Sequence, residues 1–530
     1  MILSSIGLVL LLTVLANAFD NSRFDNVSRG YWGQNSYGAG HLADVVNHQK
    51  RLAYYCEDDA IDVFPVAFLH VFFGVGDMPS INLANICGPA DNGTFPGTEL
   101  AKCEALASDI ATCQAKGKIV TLSLGGATAS AGFKSDDQAR TFAQTVWDSF
   151  LGGSSSMRPF GNAVLDGVDL DIEGGSSAHY GSFVNKIREL SAGSGKHYYI
   201  TAAPQCVYPD AALGEVLNEV AFDAVYGEFY NNYCGLQNYD QPSNWNFGVW
   251  DHWARSLSIS KETKIYIGAP AAKSAAGGGY VDIDALSSIT TQMRNSFPSF
   301  GGVMLWDVSQ AYGNKRFDKA IKDSLVAAGG EGFDYPPCSE PEYTAGGGYS
   351  AGAKVSYDGY IWQAKWYASQ TPAHGLASEW SAVSVCGGPG SPPPSTHPAT
   401  SAETATTTTA STSTTNSPTD VPIITMTITT TATVTVTDTP GAPTTGPSTT
   451  TITTTITSTS TMYTSPGSPS MPTGTSGGQC SSVPAWTVTA TYLHDEKVVY
   501  NGHLWTAKWW TLGDTPGQGG AGVWVDNGPC

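Results

Sequence analysis

The run Asp166-Gly-Val-Asp169-Leu-Asp171-Ile-Glu173 sets four acids within eight residues. Read as a strand, alternation sends Asp169, Asp171 and Glu173 to one face and Val168, Leu170 and Ile172 to the other. Two strand rises of ~3.3 Å space the carboxyls about 6–7 Å apart. Like charges that close hold on to protons, and a carboxyl that stays protonated near neutrality can deliver its proton to a leaving group. Two other uses compete with that one. Acids on a strand can ligate calcium or magnesium, but metal strands recruit further ligands and no histidine cluster accompanies this run. A solvated edge conflicts with the apolar partners and with the preceding Ala163-Val164-Leu165, which mark a buried strand. General acid catalysis is the expectation, with no metal and no cofactor.

Such a row must be held by a scaffold, and the chain up to about Ala328 repeats a strand-then-helix rhythm. Strand-like runs fall at 30–34, 63–72, 118–124, 167–173, 198–203, 224–230, 264–268 and 302–306, with helical periodicity between several of them, as at 139–150 and 181–190. Eight such units in about 300 residues predict an α/β fold, a (β/α)8 TIM barrel, whose active site lies at the C-terminal ends of the strands. Glu173 closes the fourth predicted strand. Others end in Tyr31-Trp-Gly-Gln34-Asn35, Ser123-Leu-Gly-Gly126, Glu228-Phe-Tyr230-Asn231-Asn232 and Leu305-Trp306-Asp307. Flat rings, amides and close-approach glycines around acids suit a sugar.

Composition sets the surroundings. Residues 1–18 read as a secretory signal, with an apolar stretch from Ile6 to Leu15 and Ala16-Asn-Ala18 as a cleavage site. Ten cysteines agree with an oxidising compartment: Cys56, Cys87, Cys103 and Cys113 form one group, followed by Cys206 with Cys234, Cys338 with Cys386, and Cys480 with Cys530. The sequons at Asn26 and Asn92 add to the case for a secreted, extracellular protein, with association with a cell wall as a further option. A formal charge of −20 argues against nucleic acid and anionic membranes as partners. No later segment is apolar enough to span a bilayer, and a monomer is expected.

These stretches together resemble the chitinases of glycoside hydrolase family 18, of the plant and fungal class III type. The match rests on Tyr31-Trp-Gly-Gln-Asn35, Ser123-Leu-Gly-Gly126, the acid octet, Ala202-Ala-Pro-Gln-Cys206, Phe229-Tyr-Asn-Asn232 and Val303-Met-Leu-Trp306, in the family's order. The resemblance implies that Glu173 is the general acid and that the substrate's own acetamide is the nucleophile. It further implies that Asp171 orients that acetamide, Asp169 shares a proton with Asp171, Tyr230 bonds the acetamide oxygen and Trp306 floors the sugar site. Tyr31, Gln34, Gly126, Glu228 and Asn231 join them as substrate-binding candidates. Glu228 departs from the pattern, since similar enzymes usually carry Gln there. The short connection from Ala269 to Gly301 predicts an open groove and endo-type cleavage.

Residues 338–386 and 480–530 are copies of one another. Tyr357-x-Gly-x-x-Trp362-x-Ala-Lys-Trp366-Tyr367 returns as Tyr500-x-Gly-x-x-Trp505-x-Ala-Lys-Trp509-Trp510. So few residues build little core, so each copy is expected to be a β-type module stapled by a disulfide, Cys338–Cys386 and Cys480–Cys530. The pattern resembles the short chitin-binding modules of carbohydrate-binding families 5 and 12, which makes Trp362, Trp366, Tyr367, Trp505, Trp509 and Trp510 candidates for stacking on polysaccharide, about half of them reserved for core. The predicted order is signal 1–18, barrel 19–335, module 336–387, Ser/Thr/Pro-rich linker 388–479 and module 480–530. The linker, whose Thr-Val alternation near Val434 and Val436 has nothing beside it to pair with, reads as disordered. The expected partner is chitin and its oligosaccharides. An endo-β-N-acetylglucosaminidase acting on N-glycans, or a chitin-binding lectin or wall protein with an inactive barrel, are the competing functions.

Overall fold

Eight strands lie parallel in a sheet that curls back on itself: β1 (Asn26–Gly30), β2 (Val63–Val71), β4 (Ile119–Gly125), β5 (Gly167–Asp171), β6 (Tyr199–Ala202), β7 (Ala224–Glu228), β8 (Lys264–Pro270) and β9 (Phe300–Trp306), with β3 (Ser80–Ile81) antiparallel on β2. β1 pairs with β9 on one side and with β2, through Ser28 and Val63, on the other, as the expected barrel requires. The computed structural model describes residues 19–375 and 377–387, the strands 404–416, 422–437 and 449–463, and, within the last module, 480, 483–487, 491–492, 497–507, 511–512, 515–517 and 524–530. The predicted signal therefore lies outside the described residues. Among those residues no helix is long and apolar enough to cross a membrane.

The strands are apolar almost throughout because both faces are covered; every residue of β8 is buried. Helices fill the intervals, among them Asp136–Phe150 and Tyr180–Ser191 where periodicity placed them. Ser135 starts the first by accepting the Gln138 N–H, while the Gln138 side chain accepts from Lys134 N, a reciprocal cap. Inside the barrel a second apolar cluster gathers Tyr31, Phe68, Tyr226, Tyr230, Tyr266 and Met304, with Trp306 packed against it.

Two strands differ from expectation. The first runs over Asn26–Gly30 rather than 30–34. Gly33 and Asn35 adopt positive φ, 131° and 48°, so the motif Tyr31–Asn35 is the turn at the strand's end. β5 stops at Asp171, leaving Glu173 in the connection two residues further on. The sequon at Asn26 is also closed: its side chain is buried in β1 and donates to Asp20 O at 2.9 Å and Tyr266 Oη at 3.3 Å. Asn92 is exposed.

The chain divides into two compact units, Met1–Thr396 and His397–Cys530, so the first module belongs with the barrel and is not a separate body. Its strands β10 (Lys354–Tyr357), β11 (Tyr360–Ala364) and β12 (Trp380–Val385) form an antiparallel sheet, and their buried residues share one apolar core with the barrel. Arg255 donates to Asp251 at 3.2 Å and to Tyr360 Oη at 3.0 Å. Tyr360 Oη in turn donates to Asp251 at 3.3 Å. His252 stacks on His374 with ring centroids 3.6 Å apart. Gly248 meets the Ala382 backbone so closely that a Cβ there would overlap the carbonyl oxygen.

In the second unit the stretch read as disordered carries three antiparallel strands, Thr404–Asn416, Pro422–Thr437 and Thr449–Tyr463. The last module repeats the three-strand pattern with Lys497–Tyr500, His503–Ala507 and Trp524–Pro529. All ten cysteines are paired: 56–113, 87–103, 206–234, 338–386 and 480–530.

Candidate active site

β5 carries Asp169 and Asp171 into the barrel interior, where both are buried. Asp169 accepts three hydroxyls from three neighbours: Tyr31 at 2.8 Å, Ser123 at 2.8 Å and Thr201 at 2.6 Å. That cradle fixes the strand's acidic face. Asp171 has no such company on Oδ1, which is sealed from solvent without a hydrogen-bond partner. Asp171, Glu173 and Glu228 can each bring an oxygen within 4.8 Å of the others.

Crowding and burial decide the charge of this trio. Burial, then the Glu173 and Glu228 charges, push the Asp171 carboxyl well above its ordinary range. The Glu228 carboxyl is pushed well up by burial and by Glu173, against a hydrogen bond from Tyr230 that favours ionisation. Glu173 reaches the solvent, yet the protein packed around it raises its pKa, with Asp210 adding to the shift and a hydrogen bond with Asp171 opposing it. A carboxyl that is open to water and inclined to keep its proton is what a general acid needs.

Tyr230, buried at the end of β7, donates its hydroxyl to Glu228 Oε1 at 3.0 Å. Trp306 ends β9 half-buried, 5.5 Å from the Tyr31 ring and stacked on Phe68 at 6.0 Å. The other sequence candidates hold the frame. Gln34 spends its amide N–H groups on Ala67 O (2.9 Å) and Asn82 O (3.0 Å). Asn231 accepts from Gly278 N at 3.0 Å and so ties the connection after β7 to the one after β8. Gly126 donates to Asp171 O at 2.7 Å, and at its φ of 89° a Cβ would meet the Phe68 ring at 2.8 Å. Sequence reasoning missed Phe68 and Asp210. Phe68 is one apolar residue in an apolar strand. Asp210 lies in the connection after β6, where it accepts N–H groups from Gln205, Ala212 and Leu213; its one signal was an acid directly following Pro209 in that connection.

The module aromatics divide. Trp362 is 1% exposed and donates to Tyr357 O, and Trp505 makes the same bond to Tyr500 O. Trp362 is a core residue, a correction to its assignment as a stacking surface: its ring fills the small interior of the first copy. Trp505 is partly buried against Val498, Ala507 and Trp524. Trp366 and Tyr367 are 46% and 65% exposed. Trp509 and Trp510 lie outside the described residues.

Asp171, Glu173 and Glu228 are the described residues that could supply three oxygens to a cation, and no histidine or cysteine joins them. Against known proteins, residues 29–293 match the model of "Glycosyl hydrolases family 18". Chitinase 2 of Rhizopus oligosporus is 48% identical over 301 residues, which is 57% of this chain and 52% of that protein. The endochitinase of Saccharomyces cerevisiae is 41% identical over 317 residues, 59% of this chain and 52% of that protein. A class III chitinase of Arthroderma benhamiae is 42% identical over 315 residues, 57% of this chain and 91% of that protein. The aligned part of the chain spans about half the length of the first two relatives.

Proposed function

The chain belongs to the family 18 glycosyl hydrolases, and on that premise we propose that it is a secreted endochitinase, cutting β-1,4 bonds between N-acetylglucosamine units with retention. The observation that carries the reading is the pairing of solvent-reaching Glu173 with buried Asp171, whose Oδ1 has no partner of its own. Glu173 protonates the glycosidic oxygen. Asp171, turning its carboxyl toward the cavity, accepts the acetamide N–H, aligning the acetamide oxygen on C1, and, with its own proton passed to Asp169, balances the charge of the oxazolinium ion that forms. Asp169, fixed by three hydroxyls, supports Asp171 from below; Tyr230 presents its hydroxyl beside the same atoms, and Trp306 gives the sugar a flat floor. Glu173, now ionised, takes a proton from the water that opens the oxazolinium.

Release of oligomers from colloidal chitin, with none from fully deacetylated chitosan or from a high-mannose glycoprotein, is the expected outcome of the deciding experiment. Chitosan cleavage at a comparable rate would remove the acetamide nucleophile from the mechanism. Glycan release would make the protein an endo-β-N-acetylglucosaminidase, and silence on every substrate a lectin.

Exposed Trp366 and Tyr367 support chitin binding by the first module. Two modules on one chain make the second landing intramolecular, with a gain of as much as ~10²–10⁴-fold. Truncation after Cys386 is therefore expected to weaken adsorption to insoluble chitin and to leave rates on short soluble oligomers alone; Trp509→Ala with Trp510→Ala should do the same. Equal adsorption of full-length and truncated protein would make the terminal aromatics structural.

A further inference from the structure

Glu228 brings a third carboxyl to a place where an amide would bring none. Its backbone cannot carry it away: Glu228 N donates to Pro204 O at 2.8 Å and Cys206 N donates to Glu228 O at 3.2 Å, beside the 206–234 disulfide. The side chain is 7% exposed. Around it stand Asp169, Asp171 and Glu173 from β5 and its connection, Asp210 after β6, and Tyr230 beyond its own strand, while the neighbouring stretch of β8 is uncharged. Among the described residues, the groups acting most strongly on Asp171, Glu173 and Glu228 are carboxyls and tyrosines.

Two further facts bear on where a proton must sit. The Tyr230 hydroxyl stands 3.0 Å from Glu228 Oε1; with the hydroxyl as donor, that oxygen accepts and a proton of the acid sits on the other one. And Asp171, Glu173 and Glu228 have oxygens within 4.8 Å of one another, a separation at which three uncompensated negative charges repel strongly in a buried site. We propose that Glu228 is a positioning residue that works as a neutral carboxylic acid: one oxygen accepts and fixes the Tyr230 hydroxyl, and the other keeps a proton facing the carboxyl cluster, as an amide N–H would. Protonated glutamic acid and glutamine have the same shape and the same donor-and-acceptor fork. The direction of the Glu228 pKa, well above the ordinary range through burial and Glu173, agrees with that state.

The assignment rests on the reading of Glu173 as the acid only for its consequence, since the protonation state can be read without substrate. Infrared spectra of the intact protein at neutral pH should contain the C=O stretch of a buried carboxylic acid that disappears in Glu228→Gln and persists in Asp171→Asn. A band unaffected by Glu228→Gln, or one lost in Asp171→Asn and kept in Glu228→Gln, would place the proton elsewhere and overturn the proposal. A kinetic arm reads the consequence on colloidal chitin. Glu228→Met, which keeps length but loses the fork, should lower kcat about tenfold or more by freeing the Tyr230 hydroxyl. Glu228→Gln should recover most of that loss and keep the basic limb of the rate profile where wild type has it. A basic limb moved to lower pH in Glu228→Gln would mean that an ionised Glu228 had been raising the Glu173 pKa, and the neutral-acid assignment would fall. Inactivity of wild type toward chitin would bear on the function proposed above and leave the infrared result standing.

Discussion

Glu173→Gln is expected to stop chitin hydrolysis in a protein that folds as before. Glutamine matches the shape of the acid and cannot give up a proton, and Glu173 reaches solvent, so the exchange disturbs no packing. General acid catalysis contributes typically ~10²–10⁴-fold. Here the loss should reach or exceed the upper figure, because Asp171 and Glu228 are both buried and do not reach the solvent-facing place that Glu173 holds. The pH dependence has a definite sign. Raised pKa values keep the acid protonated through the weakly acidic range, so the wild-type rate should hold there and fall on the basic side as Glu173 ionises. Retention of a tenth of wild-type turnover by Glu173→Gln, with unchanged circular dichroism, would sink the assignment.

Asp251→Ala should produce the largest loss of stability among single changes away from the catalytic cluster. Asp251 is fully buried; it accepts from Arg255 and Tyr360 on one oxygen and from Ser299 N at 3.2 Å on the other. Removing one partner of a buried ion pair costs about 3–5 kcal/mol. The lower end applies, since the Arg255 side chain keeps 31% of its exposure and water can partly serve it. Asp59→Ala is the control: that carboxyl, 99% exposed, meets Lys118 at 3.4 Å, and its loss should cost under about 1 kcal/mol. Denaturant unfolding of both variants checks the pair. Equal midpoints would show that the apolar seam, and not the Asp251 network, holds the first module down.

The catalytic strand was legible because its alternation is unambiguous: three apolar residues interleaved with three acids admit one orientation in a buried sheet. Seven barrel strands fell close to their predicted places for a similar reason, as apolar runs set off by polar or helical stretches. β1 did not, because Asn26, Ser28 and Arg29 look nothing like a barrel strand and the recognisable Tyr31–Asn35 motif lies just past it. Phe68 and Asp210 were invisible since their importance comes from what faces them across the barrel, which no local pattern encodes. Likewise nothing in Tyr360 or Ala382 announces a partner on a helix more than a hundred residues earlier.

The two C-terminal copies, so alike in their aromatics, have stopped being interchangeable. Aligned on Trp362 and Trp505, the residue that meets Asp251 and Arg255 in the first copy, Tyr360, corresponds to His503 in the second, and Ala382 corresponds to Asp526. In the second copy these two positions bind each other instead, His503 Nδ1 standing 2.9 Å from Asp526. The backbone touching Gly248 has room beside it for the methyl of alanine; an aspartate there would bring a charge into an apolar seam. One descendant of the duplication has thus traded independence for a permanent seat, and its sequence now drifts under the constraints of the barrel's helices. The other has filled the same positions with a hydrogen bond of its own, between His503 and Asp526.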